Sequence, residues 1–255
     1  MSAIVSKHAS SNSVRSDDYF YFWMALIFVG VAFLGFAPTY WVGLLRGTLQ
    51  VSPVIHFHGV IFFLWTLFVV FQTWLAATGR LRKHRRWGFV GVSLATAMVM
   101  LGVLAAVNSM KLAAVLGLAE AGKAAIVPLA SIGFFATVVV LALVKSRQAE
   151  THKRLMLLAS ISILDAPIAR WFITFLAPPA PPGPPPVAVD LLPAAVSLSL
   201  LVAAMVFDWR QRDRPHSVYV YGGLALVALK VGQIPVSTTP AWQSLTGWML
   251  ALAGS

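Results

Sequence analysis

His84 and His152 each stand immediately before two basic residues, in GRLRKHRRWG and SRQAETHKRL, and each stands where an apolar run begins. Two neutral imidazoles brought together from facing helices can bind one haem iron from above and below. His216, which follows Pro215 at the start of a later apolar run, is a third candidate for the same layer. The alternative for all three is a helix-start residue satisfied by water, lipid phosphate or loop carbonyls.

His56 and His58 open another run in PVIHFHG. Residues two apart on a helix point about 200° apart, so both bind one ion only if the backbone is extended there, which Pro53 and Gly59 permit. No acid is close in sequence, so a metal site would take Asp165 as its next ligand. Asp165 and Arg170 lie in ILDAPIARW, deep inside a further run, and Lys230 and Gln233 lie inside the last one. Ionised groups at that depth are costly unless paired or wetted, and they are site candidates by default. By their distance from the run ends, Asp165, Arg170, Lys230, Gln233, Asn108 and the His56/His58 pair can line one outward-facing cavity. Two cations against one acid would leave a positive surplus there for an anionic small-molecule ligand, a haem propionate or a quinone oxygen. The alternative is an internal salt bridge, Asp165 with Arg170 or Lys230, that holds helices together.

The elements that must position these residues are membrane spans. Hydrophobic residues make up 59% of the 255-residue chain and charged residues 11%, and the mean hydropathy is +0.81. A soluble domain could not hide that much apolar surface. Crossing the hydrocarbon core takes about 20 apolar residues as a helix, since each backbone N–H and C=O must be bonded within the segment. Spans are expected near 19–45, 53–77, 87–109, 124–145, 153–177, 187–208 and 217–239, giving an all-α polytopic bundle. Residues 1–18 form a polar tail, residues 19–240 the membrane domain, and residues 241–255 a segment too short to cross, placed on the outer surface or tucked into the bundle. Pro167 is expected to kink the fifth span. The Pro-rich stretch 178–186 forms a stiff polyproline link.

Lys and Arg concentrate on alternate connections, with Arg80, Arg82, Lys83, Arg85 and Arg86 in one loop, Lys145, Arg147, Lys153 and Arg154 in another, and Arg210, Arg212 and Arg214 in a third. The intervening connections hold Arg46, Lys111 and Lys123. Because basic loops stay preferentially inside, the N-terminus is expected in the cytoplasm and the C-terminus outside, in a bacterial inner membrane. The net charge of +11 then meets anionic lipid headgroups rather than nucleic acid. The first apolar run exceeds a signal-peptide core and is expected to remain in the protein.

Cysteine is absent, which removes disulfides, thiolate metal sites and iron–sulfur clusters. No Walker, GxSxG or HExxH motif occurs, so a P-loop pump, an elbow-type serine hydrolase and a zinc protease have no support. One unit recurs: an apolar half-helix, a basic loop, a His and a new span, once around His84 and once around His152. Repetition of this kind is common in membrane bundles.

HFHG at one span start, GRLRKHRRWG before the next, THKRLMLLA before a later one, and RPHSVYVYGG with a closing TPAW together resemble a group of uncharacterised bacterial multi-pass proteins, over about residues 20–250. More remotely, a His-topped hairpin used twice is similar to diheme, ascorbate-reducible cytochrome b membrane proteins. That likeness implies His84 and His152 as a haem b pair. The fourth span lacks a His to partner His56 or His58, so it implies one haem at most. Two functional expectations follow: a redox protein with one b-type haem, or a non-redox carrier built on Asp165, Arg170 and Lys230. The expected orientation is checked by fusing alkaline phosphatase after Ser255, which should be active only with the C-terminus outside.

Overall fold

The computed structural model describes residues 5–118, 121–177 and 183–254. Residues 1–4 of the polar tail and 178–182 of the Pro-rich link lie outside that description. The described residues form helices and no strand. Helix α1 (Val5–Gly35) runs through a π-helical turn, Ala37–Trp41, into the short α2 (Val42–Leu45). Helices α3 (Pro53–Ala77) and α4 (Leu81–Val115) form a hairpin. After the short α5 (Ala121–Ala124) come α6 (Ile126–Val144), α7 (Ala149–Ile161) and α8 (Asp165–Trp171), the last continued by a π turn, Phe172–Leu176. A 3-10 turn, Val187–Asp190, leads into α9 (Leu191–Arg212), followed by α10 (Ser217–Ser237) and α11 (Pro240–Leu252). Six of the resulting helical segments are long and apolar enough to cross a membrane, and α1 with α2 makes a bent seventh. This is a multi-pass membrane protein.

Why the hairpins are tight is visible at Gly79. Its positive φ of 71° lets the Gly79 and Arg80 N–H groups close back onto the Ala76 and Leu75 carbonyls at 2.9 and 2.8 Å, a Schellman ending that turns the chain at once. Helix α11 answers the expectation for the last segment: Thr239 caps it by accepting from Trp242 N at 3.3 Å, and the Trp242 indole donates to the Gly122 carbonyl at 2.9 Å, so it is tucked against α5.

The core joins Phe28 of α1, Trp65 of α3, Met98 of α4, Phe135 of α6, Leu158 and Ile161 of α7, Leu201 of α9 and Leu226 of α10. Trp65 and Phe135 meet edge to face, with ring centres 5.2 Å apart. Leu34, Phe89, Val144, Tyr221 and Leu224 face outward, as lipid-facing positions do.

Two spans are broken, and the breaks meet. The first was expected as one helix over 19–45, but it bends by 41° between Gly35 and Ala37. Pro38 has no N–H, which orphans the Leu34 carbonyl four residues back. The Trp171 indole N–H, arriving from α8, donates to that carbonyl at 2.7 Å. The fifth span breaks between Ile161 and Asp165, just upstream of Pro167, as the proline predicts. Gly35 packs directly on this second break, because a Cβ there would press on Pro167 Cβ and lie 2.6 Å from the Pro167 carbonyl oxygen. Backbone cannot move aside as a flexible side chain can. Gly35→Ala is therefore expected to destabilise the bundle by about 1–3 kcal/mol through overpacking, read as a lowered unfolding temperature in detergent.

Candidate functional site

Polar side chains collect at two opposite ends of the bundle. At the basic end, His84 opens α4 and His152 opens α7, each reaching back to the helix that precedes it. His84 Nδ1 lies 3.3 Å from the Gln72 carbonyl and His152 Nδ1 lies 2.8 Å from the Ala142 carbonyl. A carbonyl only accepts, so both Nδ1 atoms carry the proton and donate. In a neutral imidazole this leaves the Nε2 lone pair available, the tautomer a metal ligand requires. Among the described residues neither Nε2 makes a hydrogen bond. The two rings meet in a T-shaped arrangement, with centres 6.3 Å apart and planes at 84°. Both His belong to equivalent places in the two hairpins, so the recurring sequence unit corresponds to a recurring contact.

His216 does not join them. Its Nδ1 accepts from Val218 N at 3.2 Å and its backbone N–H donates to Asp208 Oδ2 at 3.1 Å, which makes it the cap of α10. Burial holds its imidazole below the ordinary histidine range. The neutral form is therefore the folded one, and its contribution is lost as pH falls below the unfolded value.

Under this His layer lies a charge network that the sequence reading did not identify. Arg154 and Asp208, each with 1% of its side chain exposed, form a fork: Nε to Oδ2 at 2.8 Å and Nη2 to Oδ1 at 2.5 Å. Arg154 also donates to the Glu150 carboxylate at 2.6 Å, Glu150 pairs with Lys153 at 3.0 Å, and Arg212 pairs with the same carboxylate. The buried hydroxyls of Tyr21 and Tyr219 hydrogen-bond at 3.2 Å beside them. Arg154 reads as one more loop cation in sequence. Asp208, an acid within the apolar run AMVFDWR, was the available signal.

At the opposite end, Lys230 of α10 spends its three protons on Ser131 Oγ of α6 at 2.9 Å, Asp190 Oδ2 at 3.0 Å and Asp165 Oδ2. Gln233 Nε2 donates to the same Asp190 oxygen at 2.9 Å. Ala166 N donates to the other oxygen of Asp165 at 3.0 Å. Asp165, Lys230 and Gln233 were expected together, and they are together. Asp190 and Ser131 were missed: Asp190 falls at the start of the expected sixth span, 187–208, and only packing decides which neighbours it faces.

Other expected members lie elsewhere. Arg170 is exposed with its guanidinium over the Phe36 ring, 5.9 Å from its centre, and no ion pair links it to Asp165. Asn108 makes no hydrogen bond to the cluster. His56 Nδ1 is held by Tyr40 OH at 2.7 Å, and the His58 ring lies tilted against Phe62 with centres 4.1 Å apart and its Nδ1 buried and unpartnered. Both lie on helix α3, which begins at Pro53, so the extended backbone that would aim both rings at one ion is absent. Among the described residues no three His, Asp or Glu side chains converge to hold a metal, so His56, His58 and Asp165 do not form that set. With Arg170 removed and Asp190 added, the cluster holds two carboxylates and one ammonium. The expected positive surplus is reversed to a negative one.

The fold and these sites define a polytopic helical membrane protein. Comparison with protein-family models, curated proteins and solved structures finds no match. For the buried pair, Asp208→Ala strands the Arg154 charge and is expected to cost about 3 kcal/mol or more. Replacing both members, Arg154→Met with Asp208→Leu, should recover most of that loss in thermal unfolding of the detergent-solubilised protein.

Proposed function

We propose that the protein is a membrane redox protein that holds one b-type haem between His84 and His152, with its basic end in the bacterial cytoplasm. The observation that carries this reading is the pairing of the two rings. Imidazole nitrogens bind metal at about 2.0–2.1 Å, and with ring centres 6.3 Å apart His84 and His152 would be close enough to hold one haem iron between them. Each Nδ1–H is tied to a backbone carbonyl, which fixes the ring and raises the basicity of Nε2. The donor set of two neutral imidazoles suits haem iron and does not need the acid ligands that a hydrolytic zinc site recruits.

In this reading His84 and His152 hold the group, Lys83 and Arg85 beside His84 offer charge to its propionates, and the Arg154–Asp208 fork keeps α7 docked so that His152 stays in line. Bound haem supplies reversible one-electron transfer. The basic loops of the same end rest on anionic headgroups. The carrier reading loses support from Arg170, which stands apart from the Asp165–Lys230 pair.

The test is an absorption spectrum of the purified protein, oxidised and then dithionite-reduced. A Soret band with a reducible alpha band is expected in the wild type and should vanish in His84→Ala and in His152→Ala, with expression and monodispersity unchanged. A colourless wild type, or bands that survive either replacement, overturns the reading.

A further inference from the structure

The cluster at the opposite end has donors and acceptors that do not balance. Lys230 has no proton left to give, and Gln233 has committed Nε2 to Asp190. Gln233 is 3% exposed, yet its Oε1 has no donor. A buried amide oxygen without a partner is destabilising, and this one belongs to an amide whose nitrogen already points at Asp190. The second oxygen of Asp190 makes no hydrogen bond among the described residues. The site thus lacks one positive charge and one hydrogen-bond donor at the same place.

A single proton supplies both. We propose that the Asp190–Gln233 pair is a proton-binding site: a proton from the water on that side bonds to the free oxygen Oδ1 of Asp190, and the new O–H donates to Gln233 Oε1. No electron moves, and release returns the same proton to water. The carboxylic acid and the carboxamide are then bonded in both directions, Nε2–H to Oδ2 and Oδ1–H to Oε1. The remaining Asp165 carboxylate and Lys230 ammonium balance each other. Asp190 rather than Asp165 takes the proton because it is the more open of the two, with 9% of its side chain exposed against 4%, and because both oxygens of Asp165 are already engaged.

The groups around it are few. The 3-10 turn carrying Asp190 packs on α6, α9 and α10. Helix α10 presents Lys230 and Gln233, α6 presents Ser131, and Asp165 of α8 is joined through Lys230. The first turn of α9, Leu191, Leu192 and Pro193, has no ionisable side chain. Lys123 is on α5, which packs on α4, α6, α10 and α11.

The experiment is a pH-difference infrared spectrum of the full-length protein in liposomes, recorded in sodium and again in choline buffer. Among the protonated-carboxyl carbonyl bands that appear on acidification, one should be absent in Asp190→Asn and should move to higher frequency in Gln233→Leu, which removes none of the charged side chains but offers the proton no acceptor. Asp190→Asn keeps the Asp165–Lys230 pair and so should remain folded, which its unfolding temperature checks. Identical bands in the wild type and Asp190→Asn, or an Asp190-dependent band that does not move in Gln233→Leu, overturn the proposal. A band present in choline but suppressed by sodium also overturns it, and identifies a sodium site instead.

Discussion

Each span of this protein must satisfy its own polar groups without water, and the rest of the structure depends on how it does so. A straight helix meets the requirement alone for its backbone. Pro38 and Pro167 prevent two helices from doing so, and both breaks are answered by tertiary contact. The Leu34 carbonyl takes the Trp171 indole N–H, and Gly35 permits the close approach to Pro167 that brings the two broken helices together. The breaks are thus coupled, and they place Asp165 at the head of a fresh helix.

The same constraint governs side chains. Arg154 and Asp208 are as buried as the core aromatics, and they tie α7 to α9, while the His216 backbone attaches α10 to the same carboxylate. Three helices therefore converge beneath His152. Its partner His84 is fixed by a hydrogen bond to the preceding helix of its own hairpin. The ring pair is thus held from both sides, each Nδ1–H by a backbone carbonyl of the preceding helix.

The two ends differ in chemistry. The basic end pairs every buried charge and leaves two imidazole nitrogens without partners. Among the described residues, the opposite end leaves the Gln233 Oε1 acceptor without a donor and sets two carboxylates against one ammonium. Between the two ends lies an apolar core that includes Trp65, Met98, Phe135 and Leu226.

Span length and hydropathy determined that this is an all-α multi-pass bundle, because the bilayer demands helices of fixed apolar length whatever their neighbours. The His-topped repeat also pointed to His84 and His152 together, since equivalent hairpins put equivalent residues at equal depth. The kink at Pro167 was legible because the missing N–H is a local fact. Partner choice was not. Arg170 and Lys230 are equally plausible partners for Asp165 in sequence, and only the rotation of each helix about its axis turns Lys230 inward and Arg170 outward. Asp190 reads as an unassigned residue at the start of the sixth span until a 3-10 turn packs it onto α10, and His216 reads as a third member of the His layer until its cap with Val218 is seen. One residue of helical rotation moves a side chain by about 100°, so depth is fixed by counting along the chain, whereas facing is decided only by packing.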